Sequence, residues 1–172
     1  MALAEEGEGW IPSAYERTFG IKATPPLKID IGEETLLLHG IIDRLDRNAQ
    51  GDIRVVDYKT GSSHLAQGDL KDGRRLQLPL YALAARDALG LGEPVDGFYW
   101  KILAAEAGSL KLAKFKTEDT QGVKAAIQVA REHLLRIITG IRAADFPPVP
   151  PKGGCPSYCP AAQWCWRYEP SW

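Results

Sequence analysis

The first 154 residues contain no cysteine, the chain has only three histidines, and neither sign of charge prevails. The three cysteines, Cys155, Cys159 and Cys165, all fall in the last eighteen residues. An odd count packed so closely is a poor disulfide framework and a better pattern for metal ligation with a further ligand elsewhere. No apolar run is long enough to span a bilayer. The opening MALAEEGEGW is acidic, where a signal peptide is positively charged. These absences predict a cytoplasmic protein that does not enter a membrane. The net charge of -1 lacks the basic excess that many nucleic-acid binders carry, so any contact with a polyanion must be local. Candidates are Arg44 with Arg47, and Lys71 with Arg74 and Arg75; each either meets phosphate or faces solvent. With 172 residues and no internal repeat, the chain suits one sizeable core and is short for two domains.

Residues 1–24 read as weakly structured, with an apolar anchor at Trp10 and Ile11, and Pro25-Pro26 excludes a helix there. The patterns LKIDI (27–31), TLLLHGII (35–42) and IRVVDY (53–58) predict strands, the last two joined as an antiparallel hairpin across Asn48–Gly51. Residues 70–89 carry helical periodicity, with Pro79 either kinking the helix or marking a late first turn. Residues 95–103 and 109–116 predict two further strands. A helix capped by Thr117 or Asp119 then runs to about Thr139 and stops at Gly140. PPVPPKGGCPSYCP cannot form regular structure over its length. The order predicts an α+β (mixed α/β) fold, a central mixed sheet flanked by helices with a cysteine-rich C-terminal tail.

Chemistry concentrates in GIIDRLDR and VVDYKTG. On a strand Asp57 and Lys59 share a face and Tyr58 points away. If the hairpin pairs, Asp43 approaches Asp57 across the ladder. Two such carboxylates repel unless a cation joins them, and oxygen donors suit magnesium or manganese. Ions there would screen a phosphodiester and activate water, with Lys59 alongside. A surface hairpin of solvated ion pairs is the plainer alternative. Gln77 and Tyr81, four apart, share a helical face. They either serve that site, Gln77 at a water or phosphate oxygen and Tyr81 against a base or phosphate, or pack the core.

Taken together, GIIDRLDR, VVDYKTG and LQLPLYALAA resemble the motif series of RecB-like and AddB-like nuclease domains of the PD-(D/E)XK superfamily. Gly40, Asp43 and Arg44 match the first motif. Asp57, Lys59, Thr60 and Gly61 match the second, and Gln77 and Tyr81 the third. Glu16 with Phe19-Gly20 resembles the segment preceding the core in AddB-like members. The resemblance covers roughly residues 12–90. It implies a restriction-endonuclease-like core and magnesium- or manganese-dependent hydrolysis of single- or double-stranded DNA. Asp43, Asp57 and the Tyr58 carbonyl would be metal ligands, Lys59 would stand at the attacking water with Gln77 in support, and Arg44, Arg74, Arg75 and Tyr81 would contact DNA. Helicase or recombination-complex partners are also implied.

Cys155, Cys159 and Cys165 resemble the C-terminal three ligands of the [4Fe-4S] cluster found in some members. The upstream fourth cysteine of those members is missing, so the fourth ligand is unidentified. Zinc and free thiols are the rival readings. His39, His64 and His133 are poor substitutes. The expected organisation is a nuclease core over residues 1–146, short at its N-terminus, and a tail over 147–172 packed on the same domain. Two other functions compete with a DNA-cutting exonuclease. One is a catalytically inactive nuclease-like domain that binds DNA or a partner. The other is a small structural metal protein, which leaves the acidic hairpin unexplained.

Overall fold

The computed structural model describes residues 9–31, 34–61, 66–145, 147–150 and 154–170; the side chains of Ile31 and Glu34, and all of His64 and Phe146, lie outside the described residues. A five-stranded sheet has the order β1-β4-β5-β6-β7, and β2 and β3 form a separate two-stranded sheet. The strands are β1 Ile11–Phe19, β2 Leu27–Ile31, β3 Glu34–Leu38, β4 Gly40–Arg47, β5 Ile53–Lys59, β6 Pro94–Lys101 and β7 Glu106–Lys111. Only β5 and β6 pair in parallel within the large sheet. Parallel neighbours need a crossover. Here it contains the helices α1 Gln67–Lys71 and α2 Gln77–Leu83, the second continuing into a π-helical turn over Ala84–Ala88. A third helix, α3, spans Gly122–Arg142. This is the mixed sheet with flanking helices that the element order predicts.

Several local expectations change. Residues 11–19, expected to be weakly structured, form the outer strand β1. Most of its side chains are exposed, so no alternation of apolar residues marks it; pairing with β4 supplies the order. The strand expected over 35–42 is two strands broken at His39. Asp43 therefore lies inside β4, which continues to Arg47. The helix expected over 70–89 is interrupted after α1 by Gly73, at φ +78. A side chain there would strike the His133 ring at 2.6 Å, and that ring also bonds the Lys71 carbonyl at 2.8 Å. Pro79 is the third residue of α2, in the first turn where a missing N–H costs nothing. Thr117 closes its own turn with Thr120 and does not cap α3. Gly140 sits inside α3, two residues short of its end.

Alternation along the strands gives the large sheet two distinct faces. Register partners Arg44↔Val56 and Asp46↔Arg54 share one face. There Val56, Phe98 and Trp100 form an apolar cluster with Tyr58 and Ala107 against it. Leu45, Val55, Asp57, Lys59 and Tyr99 point to the other face, where α2 packs on β5 and β6 through Leu78, Pro79, Ala82 and Leu83.

Two compact units divide the chain, Met1–Leu135 and Arg136–Trp172. In the second, the cysteine segment is a series of turns held by backbone bonds. Cys155 N–H donates to the Glu169 carbonyl, Cys165 N–H to Ala161 at 2.8 Å, and Tyr168 N–H to Cys165 at 3.1 Å. Among the described residues, no helix is long and apolar enough to cross a membrane.

Candidate active site

The hairpin β4–β5 and helix α2 bring Asp43, Asp57, Lys59, Gln77 and Tyr81 together. Asp57 is 1% exposed. Its buried Oδ2 is ion-paired with Lys59 Nζ at 2.5 Å and receives no further hydrogen bond among the described residues. Burial pushes the Asp57 carboxyl above its ordinary pKa; Lys59 opposes the rise and the negative charge of Asp43 adds to it. Asp43 is anchored differently, its Oδ2 accepting the Tyr58 backbone N–H at 2.9 Å. That bond turns the first carboxylate toward the backbone between Asp57 and Lys59.

A polar relay runs from the strand to the helix. Lys59 Nζ donates to Gln77 Oε1 at 2.9 Å, and Gln77 Nε2 donates to the Tyr81 hydroxyl at 2.9 Å. The four-residue spacing on α2 makes the second bond possible. Burial pushes the Tyr81 phenol upward, against the Gln77 hydrogen bond and with help from Asp57 and Asp43. Lys59 Nζ also stands 5.3 Å from the Tyr99 ring centroid. Burial first, and Asp57 second, raise the Tyr99 pKa; Arg75 works the other way.

The upstream segment completes the support. Phe19 meets Tyr81 edge to face, with centroids 6.1 Å apart and planes at 80°. Gly40 makes room for this contact: a Cβ there would sit 2.8 Å from Phe19 Cζ and 3.5 Å from Tyr81 Cε1. Glu16 falls between the pairs Tyr15↔Arg44 and Arg17↔Ile42, at the level of Asp43. It has φ +46, uncommon for a non-glycine residue, and its side chain is exposed.

The basic candidates are placed variously. Arg44 is 4% exposed and lies on the far face. Its Nε and Nη2 donate to the two Asp46 oxygens at 2.5 and 3.1 Å, and Nη1 to the Tyr58 hydroxyl at 3.4 Å. Arg54 donates to the same Asp46 at 2.8 Å. Arg47 holds the carbonyls of Gly51 and Leu91. Arg74 is paired with Asp72 and Asp69 on the surface, Arg75 is half-buried, and Lys71 is exposed. Sequence reading did not assign the Arg44–Asp46–Arg54 network, although Arg44 and Asp46, two apart on a strand, share a face. Nor did it foresee Tyr99 beside Lys59, which follows from the parallel pairing of β5 with β6.

Two neighbouring carboxylates, one of them buried and balanced by a single lysine, make a hard-oxygen donor set that fits magnesium or manganese. Among the described residues, no group of three or more His, Cys, Asp or Glu side chains is gathered for one ion. Magnesium tolerates such a sparse set because it keeps several waters. A [4Fe-4S] cluster does not, and Cys155, Cys159 and Cys165, all free thiols, do not fit one as arranged.

Comparison with known proteins agrees with the core. The profile of the PD-(D/E)XK nuclease superfamily matches residues 2–166. The chain is 33% identical over 108 residues to an ATP-dependent helicase/deoxyribonuclease subunit of Leuconostoc citreum, covering 58% of this chain and 9% of that protein. It is 40% identical over 91 residues to the protein of the same name from Symbiobacterium thermophilum, covering 49% and 8%. With that of Moorella thermoacetica it shares 40% over 100 residues, covering 54% and 9%. The chain thus spans under a tenth of the length of these relatives.

Proposed function

Because the chain belongs to the PD-(D/E)XK nuclease superfamily, we propose that it is a divalent-metal-dependent deoxyribonuclease that hydrolyses phosphodiester bonds, working as an exonuclease in DNA repair or recombination. The observation that carries this reading is Asp57, a carboxylate almost wholly buried, next to a second carboxylate, with one partly exposed lysine as its ion-pair partner. Two carboxylates brought this close are costly to keep charged with one lysine beside them, and a divalent cation relieves that cost.

Asp43, Asp57 and the Tyr58 carbonyl would hold magnesium or manganese. The ion would supply a Lewis acid that screens the phosphodiester and promotes ionisation of water. The rest falls to the protein's own side chains. Lys59, held by Asp57 and Gln77, presents its ammonium to developing negative charge and orients the attacking water. Gln77 keeps Lys59 extended toward the site while Tyr81 holds Gln77. Tyr81, Arg74 and Arg75 are assigned to the DNA strand. Arg44 is assigned an indirect part, through the Tyr58 hydroxyl, since its guanidinium is already engaged by Asp46.

The similarity to helicase/deoxyribonuclease subunits supports action beside a helicase module, on the linear ends such a motor exposes. The domain reading, a core to residue 146 and a tail beyond, remains part of this proposal. Iron-sulphur ligation by Cys155, Cys159 and Cys165 rests on residue type and spacing alone; an anaerobic preparation, colourless and free of iron, removes it.

The deciding experiment compares end-labelled linear DNA, single- and double-stranded, with a closed circle, with and without manganese, beside Asp57→Asn. Ion-dependent loss of the linear forms alone, absent in the variant, is the expected result. Binding without ion-dependent cutting refutes the nuclease and favours a catalytically silent DNA-binding domain.

A further inference from the structure

Beside the acidic pair lies a cavity of about 240 Å³, lined by Lys59, Thr60, Gly61, Lys101, Leu103 and Ala104. It sits where the parallel strands β5 and β6 end. Lys59 and Lys101 are register partners, so their side chains leave the same face of the sheet from strands about 4.8 Å apart. The outer wall is the turn 102–105. Ile102 N–H donates to the Lys59 carbonyl at 3.0 Å, tying this wall to the strand that carries the site lysine. Ala105, at φ +51, closes the turn in a conformation that non-glycine residues seldom adopt.

The two ammonium groups are differently committed. Lys59 is held by Asp57 and Gln77. Lys101 pairs with Glu106 at 3.0 Å across the β6–β7 hairpin, and the two side chains are 31% and 59% exposed. A solvated pair of this kind is weak and exchanges readily for another anion. Thr60 adds a hydroxyl, and nothing crowds the position a Gly61 side chain would take. Leu103, 85% exposed, gives the cavity an apolar rim.

We propose that this cavity binds the phosphate next to the scissile one on the same DNA strand, with Lys101 as its cation. The proposal rests on the nuclease reading and gives the strand a path, from the Asp43–Asp57 pair across the ends of β5 and β6. A nucleic-acid phosphate takes a lysine as a point charge with hydroxyl donors around it, which is what the cavity offers.

The test measures binding of a fluorescent single-stranded oligonucleotide by anisotropy over a range of chloride concentrations, in magnesium. The parent is Asp57→Asn, which blocks cutting and removes a negative charge facing the phosphate. Added Lys101→Ala is expected to weaken binding several-fold and to make the slope of log affinity against log salt shallower by about 0.7, one phosphate contact on a single strand. Lys101→Arg keeps the slope, and Glu106→Gln tightens binding. Equal melting temperatures of parent and Lys101 variants tie these effects to the cavity. Binding with the same affinity and slope in parent and Lys101→Ala overturns the subsite alone. No binding by either overturns the subsite and the nuclease reading beneath it. Inorganic phosphate that binds the parent but not Lys101→Ala, while DNA affinity and slope are the same in both, overturns the strand assignment in favour of a free-phosphate site.

Discussion

Replacing Asp57 by asparagine is expected to stabilise the metal-free protein while abolishing its response to metal. Asp57 is 1% exposed, its Oδ2 is paired with Lys59, and Asp43 lies nearby. Burial raises its pKa in the folded state. The folded protein therefore binds this proton more tightly than the unfolded chain. The associated stability is fully present below the ordinary carboxylate pKa of about 4 and is lost as pH rises through the folded-state value. At neutral pH the ionised group is a burden. Burying a polar group without full compensation costs about 1–3 kcal/mol. The Lys59 pair offsets part of this, weakened because its lysine is 27% exposed. Removing the charge at constant shape should leave a net gain of about 1–2 kcal/mol, or about 2–8 °C in melting temperature for a chain of this size. Lowering the pH toward the ordinary carboxylate value should erase that gain. Manganese at a hundred times its dissociation constant should then raise the wild-type protein by about 2.7 kcal/mol, about 5–11 °C, and the variant hardly at all. Thermal melts followed by circular dichroism, with chelator and with manganese, read all of this. A variant that melts well below the metal-free wild type, or that gains as much from manganese, refutes the reasoning.

Three further outcomes follow from the same geometry. Asp46→Ala strands two guanidiniums that are 4% exposed, and should cost about 3–5 kcal/mol, seen as a drop of roughly 6–20 °C in the melt. Gly40→Ala places a methyl 2.8 Å from the Phe19 ring, and should destabilise by about 1–3 kcal/mol and lower cutting as Phe19 is pushed against Tyr81, read by melts and kcat/KM together. Gln77→Ala removes a charge-assisted hydrogen bond from Lys59, and single-turnover kinetics should show kcat reduced about 10- to 100-fold with KM little changed.

The site was legible because its residues obey two simple periods. Asp57 and Lys59 fall two apart on a strand, and Gln77 and Tyr81 four apart on a helix; each pair therefore converges whatever the rest of the chain does. The outer strand was not legible. IPSAYERTF has its apolar and polar residues mixed on both faces, and only β4, more than twenty residues away, makes it a strand. The break between β3 and β4 hides inside one apolar run; Gly20 lies against His39 and Phe19 packs over Gly40 there, contacts between distant segments. Arg44 shows the same limit in a single side chain. A motif arginine reads as a phosphate contact, but its reach is decided by Asp46 and Tyr58, which claim the guanidinium within the fold.

Asp46 and Asp57 make the physical logic of the sheet plain. Both are buried carboxylates on neighbouring strands, and their fates are opposite. Asp46 receives two arginines on the far face and has every oxygen engaged, so its charge serves the fold. Asp57 receives one lysine that it shares with Gln77, and faces a like charge. A sequence selected for stability alone could pair the second carboxylate as fully as the first, since arginine is tolerated in this sheet at two positions. The site instead carries the weaker and more mobile cation, leaving part of the Asp57 charge uncompensated. Uncompensated negative charge, fixed on rigid strands and beside a lysine, is what a divalent ion binds and what a fully satisfied ion pair would exclude. The far-face network supports that arrangement by holding β4 against β5, so that Asp43 stays at the Tyr58 amide beside Asp57.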